Sequence, residues 1–121
     1  MSYIDGFVIA VPRGNKQQFI EHAQQADAVF IEQGAQRVLE CWSDDVKEGK
    51  LTDFRRAVQA KDDEAVVFSW IEWPDKATRD AAMSKVMSDP RLSPRHHPMP
   101  FDGQRMIFGG FAPVVELSPR H

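Results

Sequence analysis

Apolar residues change their spacing several times along this chain, and each change marks a new element. Residues Tyr3 to Val11 carry the continuous run Phe7-Val8-Ile9-Ala10-Val11, which predicts a strand covered on both faces. Pro12-Arg13-Gly14 breaks it. Asn15, followed three residues later by Gln18, has the pattern of a capping box. Phe19, Ala23, Ala26 and Phe30 then recur at spacings of four, three and four, with Ile20 and Ile31 beside them, as one helical stripe. Glu21, Gln24, Gln25 and Glu32 fall mostly on the wet side, and Gly34 stands where a helix end accepts a left-handed residue.

Ala35 to Ser43 predicts a second strand, with Arg37, Leu39 and Cys41 on one face and Val38, Glu40 and Trp42 on the other. Asp44 to Lys50 is a polar loop, and Phe54 to Ala60 leads into the third strand or pairs beside it. Ala65 to Trp73, rich in β-branched and aromatic residues, is the clearest strand of the chain and ends at Pro74. Asp75 caps a helix reaching about Ser88, with Ala82, Met83, Val86 and Met87 on its buried side, and Asp89-Pro90 stops it. Arg91 to Pro100, with three prolines and two histidines, is an irregular loop. Gln104 to Phe111 predicts the fourth strand, with a bulge or bend at Gly109-Gly110.

The order β-α-β-β-α-β predicts an α+β, ferredoxin-like domain over residues 1–121: a four-stranded antiparallel sheet with two helices on one face. The first and third strands are apolar on both faces, so the face without helices needs a cover. A second copy of the chain supplies one, which makes the expected molecule an isologous homodimer of the dimeric α+β barrel kind.

Composition narrows the partners. At 121 residues the chain can bury roughly 65% of its unfolded surface, enough for one core. The net charge is −3, with basic residues scattered, so no nucleic-acid partner is expected. The single cysteine, Cys41, excludes an internal disulfide and a cysteine-rich zinc site; placed mid-strand, it reads as an inert thiol. The first apolar run has no basic residues before it and no cleavage pattern after it, and no segment reaches the ~20 apolar residues of a membrane span. A cytoplasmic protein without a membrane partner is expected.

Candidate chemistry falls in a few places. Asp5, Glu40, Ser69 and Trp70 put polar groups inside apolar strands; Asp5 and Glu40 are the candidate general acid or base, and Ser69 and Trp70 candidate ligand contacts. The alternative is that each carboxylate meets water or an arginine such as Arg105. Asp102-Gly103 is a turn signal leading to Arg105, whose planar fork suits a carboxylate or phosphate, so Asp102 and Arg105 are also ligand candidates; the alternative is that Asp102 and Gly103 make the turn and Arg105 pairs with a nearby carboxylate. His96-His97 lacks any companion at metal-ligand spacing, and the acidic residues Asp44, Asp45 and Glu48 do not match a calcium loop, so no metal is expected. Gly109-Gly110 precedes no helix and is not a phosphate loop, and no cofactor is expected. Trp42, Trp70 and Trp73 suit core or dimer-interface packing.

The segments Tyr-Ile-Asp-Gly-Phe-Val (3–8), Glu-Cys-Trp-Ser-Asp-Asp-Val (40–46), Val-Val-Phe-Ser-Trp-Ile-Glu-Trp-Pro (66–74), Met-Ser-Asp-Pro-Arg (87–91) and Met-Pro-Phe-Asp-Gly-Gln-Arg-Met-Ile-Phe-Gly-Gly-Phe (99–111) resemble the YbaA-like family of small bacterial proteins. The resemblance covers nearly the whole chain. It implies the dimeric α+β barrel form of the ferredoxin-like fold and brings no established activity. Three functions stay open: a dimer binding a small molecule in an apolar cleft, a cofactor-independent monooxygenase or isomerase-like enzyme using a buried carboxylate, and a dimeric interaction module without a ligand. The enzyme reading rests on fold analogy alone.

Overall fold

Strands that are apolar on both faces belong at the centre of a sheet, and the computed structural model, which describes residues 2–92 and 99–119, places them there. β1 (Tyr3–Pro12) and β3 (Glu64–Trp73) pair antiparallel along their whole length, from Tyr3 opposite Trp73 to Pro12 opposite Glu64. β2 (Arg37–Trp42) flanks β3 and β4 (Ile107–Phe111) flanks β1, both antiparallel, giving the order β2-β3-β1-β4. That is the ferredoxin-like sheet expected from the βαββαβ order.

α1 (Lys16–Glu32) and α3 (Lys76–Val86) cover the face that carries Ile9 and Val11 of β1 and Val67, Ile71 and Trp73 of β3. Phe19 and Ala23 of α1 pack on Ile9, Val11 and Val67, while Ala82 of α3 joins Ile71 and Trp73. A third, short helix, α2 (Phe54–Ala57), lies in the segment expected to lead into the third strand. It is capped by Asp53, whose carboxylate accepts from the Arg56 amide at 2.8 Å. The chain after it folds onto the opposite sheet face, where Val58 is buried against Ala10 and Val66.

Helix ends follow the expected chemistry in part. The Asp75 side chain caps α3, accepting from the Thr78 amide at 2.7 Å. α1 ends in a Schellman motif: Gly34 has φ +114°, its amide donates to Ile31, and the Ala35 amide donates to Phe30. The capping box is absent. Asn15 precedes α1 but caps nothing, because its amide group donates to the Pro100 carbonyl at 2.9 Å and ties the helix start to a distant loop. Met87 is 89% exposed rather than buried, since α3 stops at Val86 and the stripe stops with it.

β4 begins at Ile107, three residues later than expected, because Asp102 accepts from the Gln104 amide and winds Gly103–Arg105 into a 3₁₀ turn. Gly109 and Gly110 keep regular register with Gly6 and Asp5, so there is no bulge. Gly110 is there for space: a Cβ would collide with the Tyr3 ring. The His96-His97 pair lies outside the described residues.

Candidate functional site

Period-2 alternation separates the four residues grouped by sequence. Asp5, Glu40 and Ser69 lie on the helix-covered face, and Trp70 on the other. They do not form one constellation.

Asp5 is 3% exposed. Its carboxylate accepts from the Trp73 indole N–H at 2.9 Å and from Arg79, Nη2 to Oδ1 at 2.8 Å and Nε to Oδ2 at 3.1 Å. The Arg79 guanidinium also lies 5.1 Å from the centre of the Tyr3 ring. A carboxylate filled by an indole and a guanidinium is a structural tie between β1, β3 and α3. Its partner is Arg79, not Arg105, and Asp5 does not line the cleft described below.

Arg105 is committed elsewhere. It donates to both oxygens of the buried Glu64 at 2.7 Å each, to Asp102 at 3.0 Å and to the Gln59 carbonyl at 2.9 Å. The Arg105 hydrogen bonds hold the Glu64 carboxyl well below its usual range, down to about 2. Asp102 and Arg105 therefore clamp the turn before β4 to the start of β3, and the fork holds a nearby carboxylate, Glu64, and not a ligand.

Glu40 lies in different company. Between α1 and the sheet are two adjoining hollows of about 340 and 140 Å³, which share Phe19, Ala23, Asp27 and Glu40 in their walls. Lys16 and Trp42 stand at the outer hollow; Phe7, Phe30, Phe101 and Met106 line the inner one. Ser69 lies on its floor, directly across the β2–β3 pair from Glu40. Ser69 is 3% exposed, and its hydroxyl has no hydrogen-bond partner among the described residues. Glu40 stands within hydrogen-bonding reach of Asp27 of α1. Burial, and then the proximity and charge of Glu40, push the Asp27 carboxyl up to about 9, so Asp27 of the pair favours its protonated form at neutral pH. Among the described residues no lysine or arginine forms a salt bridge with either member. His22 also lines the inner hollow, its ring edge-on to Phe101 at 6.2 Å between centroids.

Asp27 is the residue that pattern reading missed. It follows Ala23 by four positions and precedes Phe30 by three, so it falls within the apolar stripe. A carboxylate in stripe register was the available signal. No group of three or more possible metal ligands occurs among the described residues.

The open face has another character. Ile4, Gly6, Val8, Phe68, Trp70, Ile107 and Phe111 line an apolar trough of about 710 Å³. Phe68 is 45% exposed and Phe111 61%. The Trp70 N–H donates to Glu72 at 2.9 Å, and its ring lies 5.5 Å from that of Phe68.

With this geometry in hand, the chain can be compared with known proteins. Residues 2–103 match the family described as Protein of unknown function (DUF1428). The chain is 54% identical over 116 residues to the uncharacterized protein YbaA of Escherichia coli K12, covering 96% of this chain and 99% of that protein, and equally similar to YbaA of Shigella flexneri. This chain belongs to the DUF1428 family. Among solved structures, the DUF1428 chain is similar to a dimeric ferredoxin-like protein from an uncultured marine organism, with TM-score 0.60, 12% identity and coverage of 97% and 100%. It is also similar to an uncharacterized NIPSNAP domain protein from Burkholderia xenovorans, with TM-score 0.57, 19% identity and coverage of 97% and 99%. At such identities these likenesses establish the ferredoxin-like α+β fold alone. No specific function is established for the DUF1428 family by these relatives. No helix among the described residues is long and apolar enough to cross a membrane.

Proposed function

We propose that this protein is a homodimer that binds a small molecule in the cleft between α1 and the sheet. One observation carries the binding site: Asp27, Glu40 and Ser69 together line a largely apolar, aromatic-walled hollow, with His22 beside them. Two carboxyls side by side in a half-buried cleft are costly to a fold, and the Ser69 hydroxyl beside them makes no hydrogen bond to a described residue. A few convergent polar groups in an apolar cleft are the usual form of a ligand site. The trough on the opposite face supports the dimer, since exposed Phe68, Ile107 and Phe111 need cover. A structural neighbour named as dimeric supports a dimer. A fragment screen by thermal shift, followed by nuclear magnetic resonance mapping, tests the site. Hits that perturb Ala23, Asp27, Glu40 and Ser69 together support it; hits confined to the open face, or none at all, favour an interaction module without a ligand.

The enzyme reading loses Asp5, which has a cationic partner, and keeps Glu40, which has none among the lysines and arginines described. Asp27, its carboxyl pushed up by burial, stands beside Glu40 as a candidate general acid. Mass spectrometry of a cleft ligand after incubation separates the readings. A ligand recovered unchanged is bound, and one converted is a substrate.

A further inference from the structure

We propose that the cleft takes a primary amine with an apolar or aromatic body, the ammonium group seated between Asp27, Glu40 and Ser69. This rests on the cleft being a ligand site and names the class of ligand.

The inference follows from the inventory of groups on the floor. Three oxygen-bearing side chains meet there, one from α1, one from β2 and one from β3. Ser69 is directly opposite Glu40 in register, and Glu40 stands within hydrogen-bonding reach of Asp27, with all three lining the inner hollow. An ammonium offers three N–H donors and no acceptor. It can meet all three acceptors at once, including the hydroxyl oxygen that is otherwise without a partner. A carboxylate ligand would bring a like charge to the pair, and a neutral alcohol offers a single donor to three acceptors. The walls select the rest of the molecule: Phe19, Trp42 and Phe101 present ring faces and edges, with hydrocarbon from Ala23 and Met106. Trp42 already shows affinity for an ammonium, because Lys16 Nζ stands 5.2 Å from its ring centre at the outer hollow.

Seating a cation beside the protonated Asp27 carboxyl, between it and Glu40, makes that carboxyl ionise. The O–H bond of the pair breaks, the proton leaves to solvent, and the ammonium N–H groups replace it as donors. No covalent change is involved. Linkage then requires affinity to rise with pH while the free pair still holds its proton. Among the described residues, the titratable and charged groups facing the cleft are Lys16, His22 and Asp27 from α1 and Glu40 from β2; β1, β3 and the Phe101–Met106 segment contribute none.

The test is calorimetry of the full chain with 2-phenylethylamine, using 2-phenylethanol and phenylacetate as neutral and anionic probes of matched shape. Titrations run at pH 6.5 and 7.5, each in two buffers of different ionisation enthalpy. An alkylammonium stays charged at both values, its pKa being about 10. The expected result is binding of the amine over both other probes, affinity rising up to about tenfold between the two pH values, and release of up to about one proton per amine bound. Asp27→Asn should weaken amine binding about tenfold or more and remove both the pH dependence and the proton release. The proton count is read on the wild-type protein, so the result does not depend on that variant folding. The proposal is overturned if the alcohol or the acid binds as well as the amine, if the amine binds without releasing protons, or if none of the three binds at millimolar concentration. In that last case the fragment screen still decides separately whether the cleft is a ligand site.

Discussion

Asp5 and Asp27 are both aspartates on the helix-covered side, and their neighbours set them apart. Asp5 meets a guanidinium and an indole N–H, while Asp27 meets another carboxyl in an apolar hollow. Asp5→Ala should cost about 3 kcal/mol in urea unfolding, because it strands the largely covered Arg79 and the buried Trp73 N–H. Asp5→Asn, which still offers Trp73 an acceptor, should cost less. Asp27 predicts a pH effect of opposite sense to ordinary acid denaturation. Its carboxyl keeps a proton in the fold that the unfolded chain gives up near pH 4. Unfolding therefore releases a proton, and this contribution to stability falls as pH rises from about 4 towards about 9. The slope is at most ~1.4 kcal/mol per pH unit. Asp27→Asn should flatten that fall and so be more stable than wild type at pH 8, the difference closing near pH 4. Glu64 works the other way: its lowered pKa gives a contribution that is present above its unfolded value and is lost as pH falls towards about 2. Denaturation curves at several pH values for wild type and Asp27→Asn separate the two.

At the scale of elements, the joint between α1 and α3 is the most exacting. Gly34 closes α1 with φ +114°, and a Cβ there would stand 2.9 Å from Thr78 Cγ2 in the first turn of α3. Gly34→Ala therefore meets both backbone strain and a clash, and should lower stability by about 2 kcal/mol, read as a fall in melting temperature. Adding Thr78→Ala should recover the steric part and leave the strain. The β1–β4 edge has its own constraint. The Phe111 ring lies across Gly6 and Gly109, and Tyr3 fills the space over Gly110. Aromatic rings cover three strand glycines whose missing side chains would otherwise leave the edge thin.

For the whole molecule, the two sheet faces have different fates. Helices cover one, while the other is partly covered by the segment around Val58 and otherwise presents the trough. If a second copy covers that trough, Phe68→Lys should give a monomer in light scattering after gel filtration, with helix and strand content by circular dichroism unchanged. A dimer that survives the substitution would place the contact elsewhere. Since the cleft lies on the helix side of the sheet, a monomeric variant that still folds should retain its ligand binding.

The order of elements was legible in the sequence because hydrophobic period is a local property. The stripe of Phe19, Ala23 and Phe30 and the double-faced runs of β1 and β3 named helix and central strands, and the antiparallel ferredoxin-like sheet followed. Local chemistry at Asp75 and Gly34 was legible for the same reason. Partners were not. Asn15 has the letters of a cap but bonds Pro100, 85 residues away; Asp5 bonds Arg79, 74 residues away; Glu40 meets Asp27 only when α1 lies on the sheet. A side chain's charge and hydrogen-bonding needs are written in its type, but what answers them is set by packing between segments far apart in sequence. The sequence by itself determined the apolar stripe of α1 and the central strands, because hydrophobic period is local, and the tertiary structure decided where the stripe of α3 ends, which inward carboxylate is tied to an arginine and which is left facing a cleft.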